Sequence, residues 1–397
     1  MNAKAAPIDP QLLQASLAEF RQSYTLPGEA YTSPELFAWE MREFFEASWV
    51  CLGRIEGLID PGTRRAVKVG SESILLTRDD AGSLRGFFNI CRHRGHELLP
   101  VGELTEGTSI QCPYHGWTYK PDGSLKSAPQ LGLRPGFQAG EHGLTPVRVD
   151  EWEGWTFVNV SGDAPPLTGH LGNLAQIVRA WAPRDMVEVS RMDYVVEANW
   201  KILHENYQEC YHCSEIHPEL CRVSPPTSGL NIDATGIWIG GWMELIEGAE
   251  TMSLTGHGVA PMLPGLSAEQ QNRVYYVALF PNLLISPHPD YVLSHRLEPI
   301  SATRTHVECR TLFPRLVADR QGFDGSYAGD FWDVTNRQDW AACESVQRSA
   351  ASTGFKPGPV SETEESVYQF FNMIAAGYID GHISPPKNPK VLGKPKR

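Results

Sequence analysis

Between residues 33 and 45, apolar positions recur at helical spacing, with Phe37, Met41, Phe44 and Phe45 marking one face. Ser33-Pro34 opens that segment with a capping hydroxyl and a proline at the first helical position, where a missing N–H leaves nothing unsatisfied. From Trp49 to Asn159 the texture changes to short β-type runs at 66–69, 73–77, 86–90 and 156–158. Asp60-Pro61-Gly62 and Pro121-Asp122-Gly123 punctuate these runs as turns, so a small all-β unit is expected. A Pro- and Gly-containing stretch, 162–172, ends it. Beyond, 200–211 and 331–349 read as helices, while 274–286 and 292–313 alternate as antiparallel strands. Strands and helices in separate runs give an α+β class: a central antiparallel sheet flanked by helices. The expected organisation is three segments. Residues 1–48 are a helical part of the larger domain, 49–160 a β domain inserted into it, and 161–397 the remainder.

Charge narrows the function. A formal net charge of −13 leaves no basic surface for phosphate, which excludes nucleic acid as a partner. The one basic run is the Pro- and Lys-rich tail from Lys387 to Arg397, which reads as a solvated tail. No stretch reaches the run of apolar residues needed to span a membrane, and the first residues lack an apolar core typical of a secretion signal. Eight cysteines scattered through such a chain suit reduced thiols and metal ligands in a cytoplasmic protein, not a disulfide framework.

Two constellations carry chemistry. The first is Cys91-Arg92-His93 and, after eighteen intervening residues, Cys112-Pro113-Tyr114-His115. Two Cys–His pairs on two loops suit a [2Fe–2S] cluster in which thiolates hold one iron and imidazoles the other. Neutral imidazoles raise the potential to roughly −150 to +300 mV, against about −400 mV for an all-thiolate plant-type cluster. A Cys2His2 zinc site uses the same residue types, but usually pairs Cys with Cys and His with His. The second constellation is 205–212, Glu-Asn-Tyr-Gln-Glu-Cys-Tyr-His, followed by His217-Pro218. On a helix Glu205, Glu209 and His212 would share a face. Two imidazoles and a carboxylate leave positions open on a metal, the arrangement used for non-haem Fe(II) and O2. Zinc at Cys210, Cys213, His212 and His217 would require that helix to unwind.

The chain resembles the Rieske family through Cys-Arg-His-Arg-Gly-His (91–96) and Cys-Pro-Tyr-His-Gly-Trp (112–117). With 205–217 added, it resembles the catalytic (alpha) subunits of Rieske non-haem iron oxygenases over about residues 30–380. The resemblance implies that Cys91, His93, Cys112 and His115 hold the cluster. It implies that His212 and His217 are ligands of a mononuclear Fe(II), with the third ligand on the helix around 337–344. Asp339 matches that position, and Asp333 and Glu344 are its competitors. Glu209 takes the place of the carboxylate that bridges an iron-ligand imidazole to a cluster imidazole, and Asn206 matches the asparagine beside the iron. Many ring-hydroxylating members carry Asp at the bridging position. Glu within Glu-Cys-Tyr-His-Cys (209–213) looks like the branch acting on betaines, choline and carnitine.

The implied enzyme hydroxylates a small organic substrate with O2, either by oxidative N-demethylation of a quaternary ammonium compound or by mono- or dioxygenation of an aromatic ring. A bare Rieske electron carrier would leave everything beyond residue 160 without purpose. No Gly-x-Gly-x-x-Gly follows a strand, so electrons must come from a separate flavin/[2Fe–2S] reductase using NADH or NADPH. The resemblance also implies a homotrimer in which one subunit's cluster serves its neighbour's iron.

Overall fold

The computed structural model describes residues 5–107, 109–131 and 134–389. Residues 390–397 of the basic tail fall outside that range. The chain divides into two compact units, Met1–Glu40 with Pro166–Arg397, and Met41–Pro165. The sequence places the breaks at 48/49 and 160/161; the units divide a few residues from each.

The unit 41–165 is mainly β, with short helical segments at Met41–Glu46 and Ala139–His142. Its seven-stranded sheet runs β1 (Val50–Arg54), β10 (Trp155–Asn159), β9 (Pro146–Trp152), β4 (Leu84–Phe88), β3 (Glu72–Arg78), β2 (Thr63–Val69) and β5 (Leu104–Glu106). A three-stranded sheet, β6 (Ile110–Gln111), β7 (Thr118–Tyr119) and β8 (Leu125–Ser127), completes it. Ala66, Leu75, Phe87, Ile110, Trp117 and Tyr119 form a buried cluster that also encloses Cys91 and Cys112. The core therefore reaches directly beneath the two Cys–His loops.

The larger unit is built on a second antiparallel sheet. Its order is β11 (Met186–Val196), β17 (Arg304–Pro314), β16 (Val292–Ser301), β15 (Leu283–Pro287), β14 (Arg273–Leu279), β13 (Trp238–Glu244) and β12 (Leu230–Asn231). Strand β15 is buried at all five positions and shows no alternation of buried and exposed residues.

Helix α1 (Pro34–Glu40) starts as the sequence predicts, with the Ser33 hydroxyl accepting from Leu36 N–H at 3.2 Å. Glu40 at its end is fully buried against Lys201 Nζ at 2.6 Å. Trp200 Nε1–H donates to the other Glu40 oxygen at 2.9 Å, and Tyr378 O–H donates to the first at 2.5 Å. This charge-assisted cluster joins α1 to α2 (Trp200–Tyr207) and to the C-terminal helix α6 (Glu365–Asp380). The long helix α5 (Ser326–Ala350) buries Ala328, Phe331, Trp332, Thr335 and Asn336 at three- and four-residue spacing, and packs that stripe on the sheet.

One helix ends earlier than its sequence suggests. The helix expected over 200–211 stops at Tyr207, and two single turns follow, α3 (Cys213–Ile216) and α4 (Pro218–Cys221). Glu209 explains the stop: its carboxylate accepts from the N–H groups of both Tyr211 and His212, competing with the helical carbonyls. Glu205, Glu209 and His212 are therefore not three rungs of one helix face. Pro218 occupies the first position of α4.

Candidate metal centres

The two Cys–His loops have matching backbones. Cys91 N–H donates to His96 O at 2.8 Å and Cys112 N–H to Trp117 O at 2.7 Å. Gly95 N–H returns to Cys91 O and Gly116 N–H to Cys112 O. Both glycines have positive φ, 74° and 71°, which lets each loop turn back on itself without strain.

The paired turns set both thiols inward, 2% and 1% exposed, and His93 and His115 toward the outside with ring centroids 4.6 Å apart. His93 stacks on Trp117, and its Nδ1 is buried without a hydrogen-bond partner. Tyr119 O–H lies 3.3 Å from Cys91 Sγ and caps the thiol side. Inner thiols, outer imidazoles and an orphaned ring nitrogen fit a two-iron cluster. One tetrahedral ion fits poorly, because these four residues form no set of ligand atoms within 4.8 Å of one another. Arg92 and Arg94 are exposed, and Arg94 lies over the Tyr114 ring.

The larger unit brings together the other trio. Among the described residues, His212, His217 and Asp339 are the set whose ligand atoms all lie within 4.8 Å of one another. Asp339 Oδ1 is 2.9 Å from His217 Nε2 and 3.4 Å from His212 Nε2. The competing carboxylates are engaged elsewhere. Asp333 accepts from Tyr194 O–H and Arg337, and Glu344 accepts from Glu197 N–H.

Each imidazole is held from behind. His212 Nδ1 is 2.5 Å from Glu209 Oε1, and His217 Nδ1 is 2.7 Å from Gln338 Oε1. Both acceptors favour a ring proton on Nδ1, which would leave both Nε2 atoms, on the Asp339 side, free to ligate an ion. That is the donor set and tautomer a divalent iron requires. Asn206 Nδ2 lies 3.5 Å from His212 Nε2, at the edge of the same centre. Gln338 escapes a sequence reading that looks only for ligands; its signal is its place immediately before Asp339.

A group of aromatic rings reaches Asp339 through Tyr276 and His295. His295 meets Tyr207, Trp332 and Trp340 edge-on, and Tyr276 meets Tyr207 and Trp332 in the same way. Burial first and the Asp339 charge second raise the Tyr276 phenol, which places that ring near the carboxylate. Tyr276 Oη, His295 Nδ1 and Trp340 Nε1 are buried without partners.

The thiols need a correction. Cys210 and Cys213 form a disulfide, with Cα atoms 4.9 Å apart, where reduced thiols are expected. Residues three apart on a helical turn lie close enough for the bridge. The bond also removes both thiolates from any zinc site at 210–217.

The model for the Rieske [2Fe-2S] domain matches residues 48–138, and that for the ring hydroxylating alpha subunit (catalytic domain) matches 183–380. The glycine betaine monooxygenase oxygenase subunit of Chromohalobacter salexigens is 29% identical over 377 residues, 88% of this chain and 84% of that protein. The carnitine monooxygenase oxygenase subunit of Escherichia coli (strain K12) is 34% identical over 200 residues, covering 50% of this chain and 53% of its own length. Among solved structures, the quaternary ammonium Rieske monooxygenase CntA with L-carnitine superposes with a TM-score of 0.74 at 24% identity, covering 94% of this chain and 99% of its own. Naphthalene 1,2-dioxygenase from Rhodococcus sp. gives 0.72 at 18% identity, covering 94% and 98%. The chain belongs to the Rieske oxygenases and is an alpha subunit, an oxidoreductase with a Rieske [2Fe–2S] domain and a non-haem iron catalytic domain. Like other members, it works with O2, a separate reductase and a small substrate. Among the described residues, no helix is long and apolar enough to cross a membrane.

Proposed function

We propose that this oxygenase hydroxylates an N-methyl carbon of a small quaternary ammonium compound of the betaine, choline or carnitine kind. The single observation carrying this reading is the group of aromatic rings, Tyr207, Tyr276, His295, Trp332 and Trp340, gathered beside Asp339. A quaternary nitrogen has no proton to donate, so ring faces and a nearby carboxylate charge are what recognise it. The glycine betaine and carnitine relatives support the same class.

His212, His217 and Asp339 would hold the mononuclear iron, and Cys91, His93, Cys112 and His115 the cluster. When bound, the cluster supplies single electrons and the iron the O2 chemistry. The protein's share is positioning. Glu209 and Gln338 hold both imidazoles in the Nδ1–H form. The nearly complete burial of His217 keeps bulk water from that ligand. The Asn206 amide stands at the edge where a small molecule would enter. In the balanced reaction, the N-methyl ammonium ion, one O2, two electrons and two protons give the N-hydroxymethyl ammonium ion and one water. The carbinol then loses a proton from oxygen and breaks its C–N bond, giving the tertiary amine and formaldehyde.

The electrons would come from a flavin/[2Fe–2S] reductase using NADH or NADPH, in the cytoplasm where those carriers are found. The subunits would close into a homotrimer in which Glu209 links one chain's His212 to the next chain's cluster imidazole. Mixed trimers of inactive Cys91→Ser and inactive His212→Ala chains would then regain activity. Mixed trimers shown by native mass spectrometry that stay inactive would contradict it.

The substrate class is tested with purified enzyme and a reductase, offered a panel of betaines, choline and carnitine beside a panel of aromatic acids. Formaldehyde with the demethylated amine from the first panel is expected. Hydroxylated or dihydroxylated rings from the second panel alone would replace this reading with ring hydroxylation, the activity of enzymes that share the fold.

A further inference from the structure

The catalytic unit contains an open cavity of about 290 Å3 that reaches Asn206, Glu209 and His212 from the side of α2 and α6. Two further carboxyl groups line it, Glu205 and Glu364. Glu205 is peculiar. The residue is partly buried and lines the cavity, yet its Oε1 is buried with no hydrogen-bond partner. An ionised carboxylate in that state carries a heavy desolvation cost, whereas the protonated acid needs only a water to receive its O–H.

The charged and titratable neighbours agree. The Tyr31 hydroxyl favours the ionised form of Glu205, Lys201 on the same helix is held by Glu40, and Cys343 on α5 and Tyr378 on α6 feel the charge that Glu205 would carry. Burial pushes the Glu205 acid up to about 8, against the lowering effects of Tyr31 and Lys201. Glu364 is half-buried and also raised, by burial and then by the Glu209 charge.

The oxygenase reaction consumes two protons for each O2, and they must reach a centre walled by buried rings. We propose that Glu205 is the proton donor of an entry path that runs from solvent through this cavity to the Asn206–His212 edge of the site, with Glu364 as a second carrier. Glu205 releases its proton to a cavity water, and the resulting carboxylate is reprotonated from solvent, so the group is unchanged after each transfer. The proposal depends on oxygenase chemistry and is indifferent to which substrate is hydroxylated.

Infrared spectroscopy of the purified protein across pH tests the acid itself. A protonated-carboxyl carbonyl band that disappears around pH 8 is expected in wild type and in Glu364→Gln, and is absent in Glu205→Gln. Glu205→Gln keeps the length and the Tyr31 contact. It should retain iron and the cluster spectrum while turnover falls by roughly 10²-fold, with a larger rate ratio between H2O and D2O. Should that variant not fold, Tyr31→Phe removes the hydroxyl that favours the ionised form and must move the band's midpoint to higher pH. A band that survives in Glu205→Gln, wild-type turnover with an unchanged isotope ratio, or an unmoved midpoint in Tyr31→Phe would each overturn the proposal.

Discussion

Gln338 accepts the His217 Nδ1–H at 2.7 Å, and the same amide donates through Nε2 to Glu219 at 3.2 Å. The second bond fixes which end of the amide faces the imidazole. Glu219 thus orients Gln338, Gln338 orients His217, and His217 turns Nε2 toward Asp339. A carboxamide here does for His217 what the Glu209 carboxylate does for His212.

Replacing Gln338 by Leu keeps the volume but removes the acceptor. Iron affinity, measured by competition with a chelator, should fall by roughly 10- to 100-fold. The cluster spectrum, which belongs to the other unit, should not change. Undiminished affinity would mean that packing alone holds the His217 ring.

Glu209→Gln is the complementary case. Glutamine can still accept from His212 Nδ1–H, but it loses the charge that strengthens that bond. Both metal centres should remain while turnover falls by roughly 10-fold or more. A variant with wild-type rates would reduce Glu209 to the cap of the Tyr211 and His212 amides.

The two Cys–His pairs stood out by residue type and spacing, whereas Asp339 was singled out only through the family resemblance, with Asp333 and Glu344 as competitors; the fold brings His212, His217 and Asp339 together. The α+β class followed from separate runs of period two and period 3.6. What the sequence concealed depends on tertiary competition. Apolar spacing continues past Tyr207, but the Glu209 side chain captures backbone amides and the helix ends. Gln338 sits on a regular helix and acquires its role only because the chain around His217 folds back against it.

Lys201 and Glu40 are both fully buried, and each depends on the other for compensation of its charge. Lys201→Met should destabilise the catalytic unit by roughly 3–5 kcal/mol, since it strands Glu40. Lys201→Met combined with Glu40→Leu should recover part of that loss. Denaturant unfolding of the three proteins measures both. A single variant within about 1 kcal/mol of wild type would show that Trp200 and Tyr378 suffice for Glu40.

His170 is buried and donates from Nε2 to Phe280 O at 2.7 Å, and burial pushes its pKa down to about 4. Unfolded, the same imidazole takes its proton near about 6.5. The unfolded chain therefore binds the proton first. The stability His170 contributes is fully present above that value and is lost as pH falls toward about 4. His170→Gln keeps an N–H for the carbonyl but does not titrate. Between pH 7 and 5 it should lose about 2 kcal/mol less stability than wild type. Identical losses would show that His170 is already charged in the folded protein.

The centre formed by His212, His217 and Asp339 is the core of the account, and iron content tests it most directly. Wild-type protein loaded anaerobically should carry about three irons per chain, two in the cluster and one in the trio. Asp339→Ala should carry about two, with its Rieske electron paramagnetic resonance signal intact and no turnover. If Asp339→Ala keeps about three irons and its activity, the third ligand lies elsewhere and the assignment of this site is wrong.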